Sequence, residues 1–299
     1  MKKIRNHLIP LSLGLLTLPT QAAVLLYEPF DYTATETIAG KGGSESGFDG
    51  SSSWAENALG TTEITAGSSS FGTLATTGNK FHYNNSFGSV NYDKLAYASR
   101  AMNVSASSGE LYITFLMQGP SGFRLNGGVY INGSIKEFGA TRTEYFNADR
   151  GASPDRPHLY YADQLATAVD NPVTATTYMY VQKYTGLGTG SGGTAQLWLI
   201  DSGDYDTIAA DGNVTTAELD ANSLTSTSVL TLAGAAPTLD GSEELRILLH
   251  DFGGGHTDYT LDEIRVATTL NEAMDIVPEP SSSALLGLAG LALILRRRK

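Results

Sequence analysis

Short stretches in which apolar and polar residues alternate, punctuated by glycine, fill most of this 299-residue chain. The clearest is Leu111-Tyr112-Ile113-Thr114-Phe115-Leu116-Met117, rich in β-branched and aromatic residues and ended by Gly119-Pro120, which predicts a strand. Residues 178–184 alternate as cleanly and lead through a glycine loop at 186–193 into residues 195–200, predicting a long hairpin. Residues 245–250 and 260–266 make a last pair of strands, separated by Gly253-Gly254-Gly255. Weaker strand patterns cover residues 24–32, 95–104, 127–133 and 141–146, and residues 64–87 where Gly67, Gly72 and Gly78 interrupt them. Residues 40–50 have no period and many turn formers, which predicts a loop, and Trp54 beyond it predicts an anchor at the edge of a core. Only residues 215–223 have a helical pattern. Many strands with glycine turns and almost no helix predict an all-β fold, a two-sheet antiparallel jelly-roll sandwich. No period of 20–50 residues recurs, which argues against a solenoid or propeller.

The two ends follow different rules. Lys2, Lys3 and Arg5 form a positive start, residues 8–18 an apolar core, and Thr20-Gln21-Ala22 a small-residue cleavage site, so residues 1–22 read as a secretory signal peptide. At the other end Pro278, Glu279 and Pro280 precede a serine run, Ser281, Ser282 and Ser283. An uninterrupted apolar stretch, 284–295, follows, and Arg296, Arg297, Arg298 and Lys299 close the chain. Prolines stop any fold running in from upstream. A helix over the apolar stretch would be about 18 Å long against a bilayer core of about 30 Å, a gap that snorkelling arginine and lysine stems narrow. The terminal cations hold that end in the cytoplasm. This order of parts resembles the PEP-CTERM sorting signal. The resemblance implies recognition by a membrane-embedded exosortase, a precursor anchored in the inner membrane by a single hydrophobic helix, and later delivery to the cell surface or extracellular matrix. Three regions result: 1–22, 23–276 and 277–299.

Setting the ends aside changes the charge. Of 19 Lys and Arg, seven lie in the two ends, leaving 12; of 31 Asp and Glu, only Glu279 does, leaving 30, so the body carries about −18 against −12 for the whole chain. Such a surface repels nucleic acid and anionic lipid, and excludes nucleic-acid binding. There is no cysteine, so disulfides, thiolate metal sites and thiol nucleophiles are excluded, and stability must come from a large core.

The opening Tyr-Glu-Pro-Phe-Asp-Tyr (27–32), the 178–200 hairpin and the closing Leu-Asp-Glu-Ile-Arg-Val (261–266) resemble laminin-G/concanavalin-like domains, which implies the same jelly-roll body. Four pieces of chemistry are candidates within it. Asp201, Asp204, Asp206, Asp211 and Glu218 crowd one acidic stretch, and Gly212 and Glu218 stand at the sixth and twelfth positions of an EF-type calcium loop. Thr207 and Ala209, at its first and third, offer no carboxylate, so calcium stands beside an ordinary solvated insert with a helix starting at Thr215 or Thr216. His250, Asp251, His256 and Asp258 could hold a metal if the glycine turn folded them together, though their spacing matches no standard ligand pattern. Glycoside hydrolysis needs two carboxylates facing each other across a cleft. No Glu-x-Asp-x-x-Glu strand is present, and Glu243-Glu244 and Asp262-Glu263 are neighbours, which on a regular strand point to opposite faces. Tyr83, Tyr160, Tyr161 and Tyr205, in stretches read as loops, could stack on sugar rings or could cap the ends of the sandwich. The reading is a non-enzymatic, exported envelope or matrix protein, structural or adhesive, with weak contact to extracellular polysaccharide; the alternative is a secreted carbohydrate-active enzyme.

Overall fold

The computed structural model describes residues 24–276 except 44, 58–59, 86–96, 107, 120–126, 133–136, 143–157, 162–163, 168–175, 190, 232–237 and 250–256. In chain order the elements begin with β1 (Val24–Glu28), β2 (Ala55–Asn57), β3 (Thr61–Thr65), β4 (Lys80–Asn85), β5 (Tyr97–Ala101) and β6 (Ser105–Ala106). Next come β7 (Glu110–Gln118), β8 (Gly127–Asn132), β9 (Glu137–Arg142), β10 (His158–Tyr161), β11 (Gln164–Thr167), β12 (Thr177–Thr185) and β13 (Thr194–Ile200). Two helices follow, α1 (Ser202–Ala209) and α2 (Thr216–Asn222), then β14 (Thr225–Ser226), β15 (Leu230–Thr231), β16 (Leu239–Asp240), β17 (Glu244–Leu249), β18 (Thr257–Ala267) and α3 (Leu270–Ala273).

The strands form the expected two-sheet antiparallel sandwich. One sheet runs β14-β13-β12-β7-β18-β4-β3, with β1 beside β18 and β15 beside β13; the other runs β11-β10-β9-β8-β17-β5-β2. The chain passes from the first sheet to the second after β1, β4, β7 and β15 and returns before β3, β7, β12 and β18, while β6 and β16 pair separately. Alternation fixes what each strand buries. Ile113 and Phe115 of β7, Val129 and Ile131 of β8, and Leu245 and Ile247 of β17 point into the layer between the sheets, where each fully buried apolar side chain contributes roughly 1.5–3 kcal/mol. Phe115 and Tyr180 stack there with centroids 4.9 Å apart. The predicted 178–200 hairpin is β12 paired with β13, Met179 opposite Ile200. The last two strands do not pair with each other: β17 lies between β5 and β8, whereas β18 lies between β7 and β4. Both carry a strand pattern, but alternation says nothing about which sheet a strand joins. Their glycine link, 253–255, is outside the described residues.

A second core covers the opposite face of the first sheet. Leu116, Val181, Trp198 and Ile200 meet Tyr205 and Ile208 of α1, Leu219 of α2, Leu270 and Met274 around α3, and Phe71 from the β3–β4 connection. The molecule therefore has three layers, and the added one carries the helices. Helix α2 falls where the sequence predicts it. Helix α1 does not follow the expectation of a loop: Asp201 accepts bonds from the amides of Gly203 and Asp204 as its N-cap, and Tyr205 and Ile208 supply the apolar face three residues apart.

Candidate functional site

The described residues closest in sequence to the C-terminal tail are built into the third layer. Thr269 caps α3. Beyond it the hydroxyl of Thr114 donates to the carbonyl of Ala273, and the hydroxyl of Tyr205 donates to that of Met274 at 2.9 Å. Arg265 reaches Asp275 at 2.7 Å, and the amide of Ile276 donates to the carbonyl of Asn271 at 2.7 Å. Asn271 is itself held, its side chain accepting from the amide of Val214. Burial works against the Arg265 charge, but Asp275 and Glu263 outweigh it and raise the guanidinium pKa further.

β18 carries a feature that alternation hides. Opposite β7 its register slips between Asp262 and Arg265, and Glu263 takes a left-handed φ of 53°, so one extra residue bulges out. Leu261 and Ile264 both join the inner core, and Asp262 and Glu263 sit between them. The expectation that these two acids point to opposite faces is corrected, because the bulge interrupts the period of two. Asp262 accepts from the Ser68 hydroxyl and the Ser69 amide. Glu263 accepts from the Thr77 amide, the Tyr27 hydroxyl and Arg265. Together they fasten the β3–β4 connection to the sheet. Burial, the largest influence, pushes the Asp262 pKa up to about 6 against three hydrogen bonds that favour the anion.

At the end of β1, Glu28 faces inward and is fully buried. Its carboxylate accepts from the Phe30 amide, the Tyr32 hydroxyl and the Trp54 indole, and stands 3.5 Å from Arg100 of β5 in the opposite sheet. Arg100 bonds Glu45 at 2.7 Å and the Gly43 carbonyl, with its guanidinium 4.0 Å above the Phe48 ring. Burial again leads, and the Glu28 pKa rises to about 7. This network ties both sheets and the 40–54 loop together. Glu28 is enclosed and Glu45, about a quarter exposed, is held by Arg100, an arrangement that suits fastening.

The acidic stretch is dispersed. Asp201 caps α1. Asp206 accepts from the amide and hydroxyl of Thr73, Asp211 from the Asn213 amide, and Glu218 completes a capping box with Thr215. Asp204, in the first turn of α1, has its pKa raised by burial and then by the charge of Asp201. Asp201 and Glu218 thus serve helix starts and Asp211 a turn, and among the described residues no three His, Cys, Asp or Glu are grouped to hold a metal. His250, Asp251 and His256 lie outside the described residues, and Asp258 pairs with His82 at 2.7 Å. Tyr83 and Tyr205 are corrections: the first is buried in β4 and the second in α1, at 0% and 2% exposure, so neither ring is offered to a surface ligand. Tyr160 and Tyr161 belong to strand β10, opposite Leu165 and Gln164, and not to a loop.

Comparison with known proteins decides the tail. Residues 277–299 match the family model of the PEP-CTERM protein-sorting motif. The chain carries that motif. It marks an exported protein, anchored transiently in the membrane before sorting, and implies processing by an exosortase. Pro278, Glu279, Pro280, Arg296, Arg297, Arg298 and Lys299 of the motif lie outside the described residues, as do residues 1–22, expected to be a signal peptide; among the described residues no helix is long and apolar enough to cross a membrane. No curated protein sequence matches the chain. Among solved structures, basic winged bean lectin with Tn-antigen aligns at 7% identity over 81% of this chain and 97% of that one, with a TM-score of 0.41. A putative beta-glucanase from Mycobacterium abscessus aligns at 11% identity over 82% and 100%, with a TM-score of 0.37. A carbohydrate esterase from Shiga toxin-encoding bacteriophage phi24B aligns at 11% over 82% and 98%, with a TM-score of 0.38. The fold assignment rests on the strand pairing described above.

Proposed function

We propose that this is a structural or adhesive component of the cell surface or extracellular matrix. The observation that carries the reading is a PEP-CTERM sorting motif joined directly to a self-supporting β-sandwich. The leader exports the chain, the apolar stretch 284–295 holds the precursor in the inner membrane with Arg296 to Lys299 inside, and exosortase processing frees the body. At its destination the body makes weak contact with extracellular polysaccharide. Two features favour a mechanical role over a catalytic one: the acids with the largest upward pKa displacement, Glu28 and Asp262, are fully enclosed, and both spend their oxygens on fastening loops. Changing Pro278, Glu279 and Pro280 together to alanine should leave export intact and accumulate unprocessed precursor in the inner-membrane fraction. Unchanged release into the outer envelope or medium would overturn the sorting reading. A glycan array with the processed protein, with and without calcium, tests the polysaccharide contact, and Tyr160→Ala with Tyr161→Ala should weaken any signal.

A further inference from the structure

The sorting motif begins at residue 277, and residues up to 276 are already committed to the fold. Ala273 and Met274 are fully buried and Ile276 is 5% exposed. The carbonyls of Ala273 and Met274 are taken by Thr114 and Tyr205, the amide of Ile276 by Asn271, and the carboxylate of Asp275 by Arg265. An extended peptide is recognised through main-chain hydrogen bonds and pockets for its alternate side chains. The residues before the motif offer neither while they stay in place. Length removes the escape: the seven residues 277–283 span at most about 25 Å when fully extended, so a membrane-embedded enzyme must work close against the body.

From this geometry we infer that the segment from α3 to Ile276 is a folded gate on sorting, and that its local release limits the rate of exosortase processing. The inference rests on the sorting reading above. The gate is short. It is one helix of four residues, and its ion pair is partly solvated, with the Asp275 side chain 31% exposed. Asp275 also holds a left-handed φ of 58°, a conformation Asp tolerates better than Ala. Opening a short segment locally costs less than unfolding the whole protein, so the sandwich survives the release.

The test is a pulse-chase of the full chain in cells that carry the exosortase, comparing the rate of conversion of precursor. Asp275→Ala removes the ion pair and worsens the backbone preference, and Thr114→Val removes the bond to Ala273; each should raise the rate severalfold. A third variant inserts eight Gly and Ser residues between Ile276 and Val277, leaving every contact of the gate in place while supplying an extended approach. It should be processed faster with the melting temperature of the processed body unchanged, which separates gating from loss of stability. Unchanged or slower processing in all three, while the alanine variant of Pro278, Glu279 and Pro280 stays unprocessed, overturns the gate alone. Normal processing of that alanine variant overturns the sorting reading and the gate with it.

Discussion

At Glu28 burial and hydrogen bonding pull in opposite directions, and burial wins. Three donors and Arg100 favour the anion, yet full enclosure lifts its pKa from 4.5 to about 7. Arg100 does not depend on Glu28 alone, since Glu45 stands closer, at 2.7 Å against 3.5 Å. The consequence for stability has a definite sign. Between pH 4.5 and about 7 the folded protein keeps a proton on Glu28 that the unfolded chain has released, so raising the pH through this window destabilises the fold. Asp262 adds a loss of the same sign between 3.8 and about 6. At about 1.4 kcal/mol per pH unit of separation, Glu28 alone accounts for a loss on the order of 3 kcal/mol. Urea unfolding of the processed protein should therefore show its highest midpoint near pH 4.5 and a lower one at pH 7.5, and Glu28→Gln should flatten most of that slope. A midpoint that climbs over the same range would contradict the assignment. None of this was legible in the residues 27–32, because what shifts Glu28 is burial in the folded core, and two of the partners that oppose the shift, Trp54 and Arg100, come from 26 and 72 positions away.

The helical layer shows how the same residues serve two readings. Acids two to seven positions apart look like a calcium loop when the backbone is assumed to circle an ion, and like capping residues when it enters a helix. The structure uses them as caps and turn formers: Asp201 for α1, Glu218 with Thr215 for α2, Asp211 for the turn between. Thr215→Ala should cost about 1 kcal/mol by removing one partner of the capping box, read as a lower melting temperature. Millimolar calcium and magnesium should shift that temperature equally, because both only screen a body of about −18. A larger shift with calcium, abolished by Asp211→Ala with Glu218→Ala, would mean that the side chains regroup around the ion. Helix α1 was readable in part: an N-cap Asp and an apolar pair at Tyr205 and Ile208 were present, though Gly203 and three acids in the span 201–206 masked them.

Across the whole molecule, the sandwich and its helical cover end at Ile276, and the sorting motif begins at residue 277. Topology follows from the cations at the end: a reporter fused after Lys299 that works only in the periplasm should stay silent, and strong activity there would reverse the orientation. The sequence by itself determined what is local in origin. Period-two alternation names strands and their buried faces, glycine marks the turns, and an abrupt change of composition at the C-terminal end marks the sorting tail. The tertiary structure alone decided what depends on chain closure. It separated β17 from β18 into opposite sheets, placed the bulge at Glu263, joined Glu28 to Arg100 across the sandwich and fastened residues 273–276 under Tyr205 and Thr114. Alternation records which side of a strand meets apolar surroundings. It holds no record of which distant segment supplies them, because any apolar face of the right shape would satisfy the same pattern.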